Sequence, residues 1–208
     1  MGHLHDGREF KTKEAVRDFV WRLLEEAGAG RFPFPLRGRI PNFADSREAA
    51  GHLLELRAFR EARAVFCAPD YAVKAARDLV LAEDKTLAFA MPHMTAFLQM
   101  EGAGRPTTIR AMGRAGTPLK SPIDLKVSGC VAVDLKGNRI GKGSGYGDQE
   151  VEKLRAWGLL PPGPFPFVAL CHPLQLFDNL SHLADPHDVP VTAISIPEGI
   201  ISLEEGRE

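Results

Sequence analysis

The chain has 208 residues, 44% of them hydrophobic and 25% charged, with 26 Lys+Arg against 27 Asp+Glu. This composition excludes a collagen, a coiled coil or a wholly disordered chain, and this length can bury a full core without disulfides or metals. A formal net charge of -1 argues against coating DNA or an acidic membrane by bulk charge, so neither is an expected partner, but local cationic pockets stay open.

The spacing predicts one domain over residues 1–208, with elements in the following order. Val16, Phe19, Val20, Leu23, Leu24 and Ala27 recur at helical spacing from Thr12 or Lys13, and Gly28 supplies a stop. The run RFPFPLRGRIPNF, residues 31–43, is too rich in proline and glycine for a helix. An extended segment is expected there, burying Phe32, Phe34, Ile40 and Phe43. Asp45 with Glu48 resembles a capping box opening a second helix through Leu56.

Strands are expected at 63–68, 87–91, 127–134, 167–171 and 191–196, and helices at 71–82 and 148–157. Residues 102–122 read as irregular. That stretch carries Arg105, Arg110, Arg114 and Lys120 without an acid. It fits either a mobile flap over an anionic ligand or a solvated loop. Short apolar runs separated by helices imply an α/β fold: a mainly parallel sheet with helices on both faces. Cys67, Cys130 and Cys171 sit in apolar runs without CxxC spacing. Buried thiols in a reducing compartment are expected. No apolar stretch is long enough to cross a bilayer, and the first residues lack a leader-type apolar core. The expectation is a cytoplasmic protein. His172, His182 and His187 match no standard zinc spacing.

The segment richest in chemistry is VAVDLKGNRIGKGSGYGD, residues 131–148. A strand ends near Asp134, a turn follows at Lys136-Gly137-Asn138, and Gly141, Gly143 and Gly145 then alternate with Lys142 and Ser144 before a helix. Glycines let backbone N–H groups converge on an anion, and the helix start adds partial positive charge. With Arg139 and Lys142 this is the make-up of a phosphate cradle. A flexible hairpin before a helix is the plainer alternative. The segment is neither a GxxxxGK[ST] loop nor a GxGxxG fingerprint. Lys13 and Arg17, four apart, share one helical face at the border of the apolar stripe.

Together, KEAVR (Lys13 to Arg17), RIGKGSGYGD (Arg139 to Asp148) and the later His187-Asp188 pair resemble the 5-formyltetrahydrofolate cyclo-ligase family, also called methenyltetrahydrofolate synthetases. The order and spacing agree across nearly the whole chain, and RFPFPLRGRIPNF and HDVPV resemble a divergent branch of methenyltetrahydrofolate synthetase domain-containing proteins. The resemblance implies a ribose-5-phosphate isomerase/CoA transferase-like fold. It implies ATP-driven cyclisation of 5-formyltetrahydrofolate, a small reduced folate, to 5,10-methenyltetrahydrofolate. It assigns ATP phosphates to Lys13, Arg17, Arg139, Gly141, Lys142, Gly143, Ser144, Gly145 and Tyr146, and Mg²⁺ to Asp148 and Asp188. Asp70 stands nearest the position of the family's folate-facing glutamate. The chain departs from the family pattern GYYD at Gly147, carries Gln149 where a basic residue is usual, and lacks that glutamate. A non-catalytic nucleotide-binding module on the same fold therefore stays open as the alternative, as does a relative acting on a phosphosugar or CoA thioester.

Overall fold

The alternation of strands and helices builds an eight-stranded sheet in the computed structural model, which describes His5 and residues 9–203. The expectation of a chain start without a leader falls largely outside those residues. Across the sheet the strands are Gly199–Ser202, Ala193–Ile196, Phe167–Leu170, Leu125–Gly129, Ala64–Cys67, Thr86–Ala90, Phe97–Met100 and Thr117–Pro118. The run from Ala193–Ile196 to Thr86–Ala90 is parallel, and the edge strands are antiparallel.

Parallel strands need crossovers, which cover both sheet faces. Val65, Cys67, Leu87, Phe89, Leu125, Val127, Val168 and Leu170 face one side. They share a core with helices Lys13–Glu26, Ser46–Gly51, Arg57–Glu61 and Lys74–Ala82. The alternate residues Ala64, Phe66, Ala88, Phe167, Ala169 and Ile194 pack on the other side against Val151 and Leu154 of helix Tyr146–Ala156. The expected α/β architecture is thus the one observed. All three thiols are free and buried, and burial pushes Cys67 up to about 12.

The first helix starts where Thr12 accepts a hydrogen bond from the Ala15 amide, and Gly28 follows its end with φ +61°. Phe43 and Ile40 are buried as expected, but Phe32 and Phe34 are 65% and 59% exposed. Leu36 from the same run is fully buried instead, packed over Gly30, where a Cβ would come within 2.4 Å of its Cδ1. The capping box at Asp45 does not form. Asp45 has φ +58° and its side chain makes no cap, because the chain turns sharply out of the Asn42–Phe43 pairing. The helix beyond it is one α segment, Ser46–Gly51, continued by a 3-10 turn, His52–Glu55.

The expected single strand 127–134 is two strands in two sheets. Leu125–Gly129 belongs to the main sheet, and Ala132–Asp134 pairs with Arg139–Ile140 and Leu176–Phe177. The carbonyls of the crossing residues Cys130 and Val131 are satisfied by Gln175 Nε2 at 2.7 and 3.2 Å, so the break costs no backbone hydrogen bond. Residues 102–122 are not irregular throughout. They hold helix Ile109–Ala115, capped by Thr108 and anchored by buried Met112, and the edge strand Thr117–Pro118. Gly113 and Gly116 obscure its periodicity. Strand Phe97–Met100, one in from the edge, and the edge strand Gly199–Ser202 also escaped the sequence pattern, because half-buried strands carry weak alternation.

Sheet direction reverses at one place. Ala64–Cys67 and Thr86–Ala90 extend it one way, while Leu125–Gly129, Phe167–Leu170 and Ala193–Ile196 extend it the other. The reversal lies between the neighbours Ala64–Cys67 and Leu125–Gly129. In open α/β sheets, ligands bind outside the carboxyl ends of strands at such a point.

Candidate active site

A cavity of about 810 Å³ opens at that reversal, floored by Ala68, Pro69, Ser128 and Gly129. Every residue expected to bind a ligand lines it: Lys13, Arg17, Asp70, Arg139, the Gly141–Gly145 turn, Tyr146, Asp148 and Asp188. A second hollow of about 650 Å³ adjoins it across Gly145, Asp148, His187 and Asp188.

The turn is positioned by Asp134. Its buried carboxylate accepts the amides of Lys136 and Asn138 at 2.9 and 2.7 Å. It also accepts the Leu180 amide and the Asn138 side chain. Gly143 and Gly145 have φ of +105° and +68°, conformations open to glycine. Gly145 in the left-handed region starts the helix at Tyr146, two residues before the expected start. Tyr146 and Asp148 therefore both lie in its first turn. Arg17 Nε donates to the Gly141 carbonyl at 2.8 Å, and its Nη1 to Glu14 at 2.8 Å.

Each of the four aspartates lining the cavity is held by a cation of the same cavity. Lys13 Nζ donates to Asp185 at 2.7 Å and to Asp188 at 2.6 Å. Burial pulls the Lys13 pKa down, but hydrogen bonds to Asp185 and Asp188 and their charges outweigh it and leave it raised. The Lys13 hydrogen bond and charge hold the Asp185 carboxyl below its ordinary range. Arg139 Nη2 donates to Asp148 at 2.7 Å, and Lys142 Nζ to Asp70 at 2.9 Å. Asp70 thus does face the cavity. Tyr146 Oη and His93 Nδ1 are 3.0 Å apart. Ser144 is exposed on the turn.

The Arg139 guanidinium lies over the Phe167 ring at 5.4 Å and directly above Gly147. A Cβ on residue 147 would come within 3.0 Å of Arg139 Nη2, which is why glycine suits a position where the family pattern has tyrosine.

Asp188 shares a cluster with Asp185 and His187, their ligand atoms within 4.8 Å of one another. Asp148 is not part of that group. The donors are mainly carboxylate oxygens, the set a magnesium ion takes together with phosphates and water, so the residues fit the ion. The cationic flap is not what 102–122 supplies: only Thr108 and Ile109 of that stretch line the cavity, and Arg105, Arg110, Arg114 and Lys120 are exposed.

Sequence reasoning missed four residues. Arg77 is 2% exposed and donates to the carbonyls of Ala68, Asp70 and Thr107, fixing the loop that carries Asp70. Lys126 and Glu150 form a buried ion pair, with Lys126 Nζ 4.3 Å from the Phe66 ring centroid. Ser128 sits in the cavity floor. None of the four belongs to a motif, and in sequence each looks like an ordinary polar residue in a helix or strand.

A main sheet of this order, with a glycine-rich turn and a cavity at its reversal, defines an open, mainly parallel α/β protein. Residues 9–197 match the family described as the 5-formyltetrahydrofolate cyclo-ligase family, and the chain belongs to it. It is 34% identical over 209 residues to the methenyltetrahydrofolate synthase domain-containing protein of Mus musculus, covering 94% of this chain and 56% of that protein. The corresponding protein of Homo sapiens is 30% identical over 205 residues, covering 92% and 53%. The chain thus spans about half the length of these relatives. The NMR structure of Aquifex aeolicus 5,10-methenyltetrahydrofolate synthetase superposes with a TM-score of 0.59 at 20% identity, covering 94% of this chain and 95% of that one. The 5,10-methenyltetrahydrofolate synthetase of Mycoplasma pneumoniae gives 0.52 at 15%, covering 88% and 97%. These two likenesses concern the fold.

Proposed function

We propose that this chain cyclises 5-formyltetrahydrofolate to 5,10-methenyltetrahydrofolate with consumption of ATP and release of ADP and phosphate. One observation carries the reading: Lys13 and Arg17 from one end of the chain, and Arg139 and the Gly141–Gly145 turn from the other, line one cavity at the sheet reversal. Family membership over residues 9–197 supports taking residues 1–208 as one cyclo-ligase-like domain.

The N-formyl oxygen of the folate takes the γ-phosphoryl group, with ADP leaving. The neighbouring folate nitrogen then attacks the formyl carbon, and that oxygen departs with phosphate. Phosphoryl transfer depends mostly on positioning and charge stabilisation. Lys13, Arg17, Arg139 and Lys142 supply the charge, and the amides of the glycine turn, with Ser144 and Tyr146, hold the phosphate oxygens. Asp148 and Asp188 would hold Mg²⁺, which would neutralise phosphate charge when bound. For the cations to reach phosphate, the pairs Lys13–Asp188, Arg139–Asp148 and Lys142–Asp70 exchange partners. Asp70, released from Lys142, then faces the folate. No helix among the described residues is long and apolar enough to cross a membrane, and a cytoplasmic setting suits a small soluble substrate.

The pairing of Asp70 with Lys142 favours a second reading, in which the chain binds nucleotide without acting on folate. Incubation of the purified chain with ATP, Mg²⁺ and 5-formyltetrahydrofolate separates the two. Growth of the methenyl product's absorbance is expected; no product with retained Mg-ATP binding selects the second reading.

A further inference from the structure

Ser128 is 4% exposed and lines the cavity floor, yet its Oγ has no hydrogen-bond partner among the described residues. Buried hydroxyls in native proteins are nearly always paired, so an orphan at a ligand cavity calls for a partner. Its surroundings explain why the fold supplies none. Across one strand boundary Ser128 registers with Ala169. On the other side the chain has passed from Cys67, which registers with Val127, to Ala68. Both flanking side chains end in a methyl group. Lys126, two residues back and so on the same sheet face, is committed to Glu150.

Arg139 provides a second orphan in the same cavity wall. Its Nε is buried and unpartnered among the described residues, although its Nη2 is bound to Asp148. Its guanidinium stacks on Phe167, which also lies 5.6 Å from Lys126 Nζ, so both orphans belong to the sheet face beneath helix Tyr146–Ala156.

Resting on the proposed function, we infer that Ser128 is a specificity-determining contact. With the Arg139 Nε–H, its hydroxyl receives a hydrogen-bond-accepting oxygen of the bound ligand. That oxygen is either a phosphoryl oxygen of the nucleotide or a carbonyl oxygen of the reduced folate. The position sits at the sheet reversal, and Gly129 beside it cannot compensate, because a Cβ there would meet Ile40 at 2.5 Å.

The test is calorimetric titration of wild type, Ser128→Ala and Ser128→Thr, each with Mg-bound non-hydrolysable ATP analogue and separately with 5-formyltetrahydrofolate, alongside thermal unfolding. Ser128→Ala is expected to be as stable as wild type or more stable, since it removes an unpaired buried hydroxyl. It is also expected to lose about 3- to 10-fold in affinity for one of the two ligands, the weight of one hydrogen bond. The ligand affected identifies the source of the oxygen. Ser128→Thr, which keeps the hydroxyl, is expected to restore most of that affinity. Unchanged affinity of Ser128→Ala for both ligands overturns the inference, as does a loss of stability with an equal fall for both. If wild type binds neither ligand, the functional reading falls and this inference with it. If wild type binds and Ser128→Ala binds both ligands as tightly, this inference alone falls.

Discussion

The Nε of Arg17 donates to the carbonyl oxygen of Gly141 at 2.8 Å, joining residues 124 positions apart. This bond ties the first helix to the glycine turn and leaves Arg17 beside Gly143, within 3.6 Å of where its Cβ would stand. Arg17→Ala is expected to weaken Mg-ATP binding by about tenfold, the weight of a charge-assisted hydrogen bond. Its cost in stability is expected to stay below about 1 kcal/mol, because the side chain borders the core and does not fill it. Calorimetry and urea unfolding on the same sample check both. Gly141→Ala is the cleaner probe of the turn, since its Cβ would meet only Arg139 Nη1 at 3.7 Å. Any side chain at Gly143 adds backbone strain at φ +105°.

The Lys13 cluster makes a prediction about pH. The folded Lys13 lies above its ordinary 10.5, where burial is outweighed by hydrogen bonds and charges of Asp185 and Asp188. It contributes stability below 10.5 and loses it as pH rises through the higher folded value. Asp185, held below 3.8 by the hydrogen bond and charge of Lys13, contributes above 3.8 and loses this as pH falls through the lower folded value. Wild type is therefore expected to exceed Lys13→Met by a constant margin of roughly 0.5–1 kcal/mol at intermediate pH. That margin shrinks at both the acid and the alkaline end. Thermal midpoints across a pH series check it, with a plateau difference of about 1–4 °C. A difference that grows in acid contradicts the assignment.

Lys126 is fully buried and Glu150 nearly so, and they are paired to each other beneath the cavity. Removing one partner leaves an uncompensated buried charge, so Glu150→Ala is expected to cost about 3–5 kcal/mol. The double variant Lys126→Met, Glu150→Leu removes both charges and is expected to recover most of that loss. Denaturant midpoints of the single and double variants decide the matter. A double variant no better than the single means that the pair's geometry, rather than its desolvation, sets the cost.

Gly147→Ala sets two effects against each other. Alanine is better than glycine in a helix by about 1 kcal/mol. Its Cβ, however, would crowd Arg139 at 3.0 Å and displace the guanidinium from Asp148. Overall stability is expected to change by less than about 1 kcal/mol while affinity for Mg-ATP falls. Unfolding and calorimetry on one variant separate the two effects. Unaltered affinity shows that Arg139 does not need its present place over Gly147.

The parallel sheet, the first helix and the glycine turn were legible in the residues because each rests on a local pattern. Val16, Val20 and Leu24 recur on one helical face, and Gly141, Gly143 and Gly145 permit a backbone that other residues resist. Local pattern also misled. Asp45 and Glu48 have the spacing of a cap, but the turn out of Phe43 puts Asp45 at φ +58°. Phe32 and Phe34 look like core residues, but they are exposed and Leu36 of the same run is buried instead. One apolar run, 127–134, hid two strands, because the break after Gly129 depends on Gln175, more than forty residues away, satisfying the crossing carbonyls.

What the linear order of residues determined was an α/β sheet protein with a glycine-rich turn late in the chain and a cation pair near its start. Only the folded chain decided that these two segments share a wall with Asp70 and Asp188. Only it paired the cavity's aspartates with Lys13, Arg139 or Lys142, and only it left the Ser128 hydroxyl without a partner among the described residues. The reason is physical. Backbone preferences act over a few residues and are written locally, whereas ion pairing and desolvation depend on which distant segments the sheet order brings into contact.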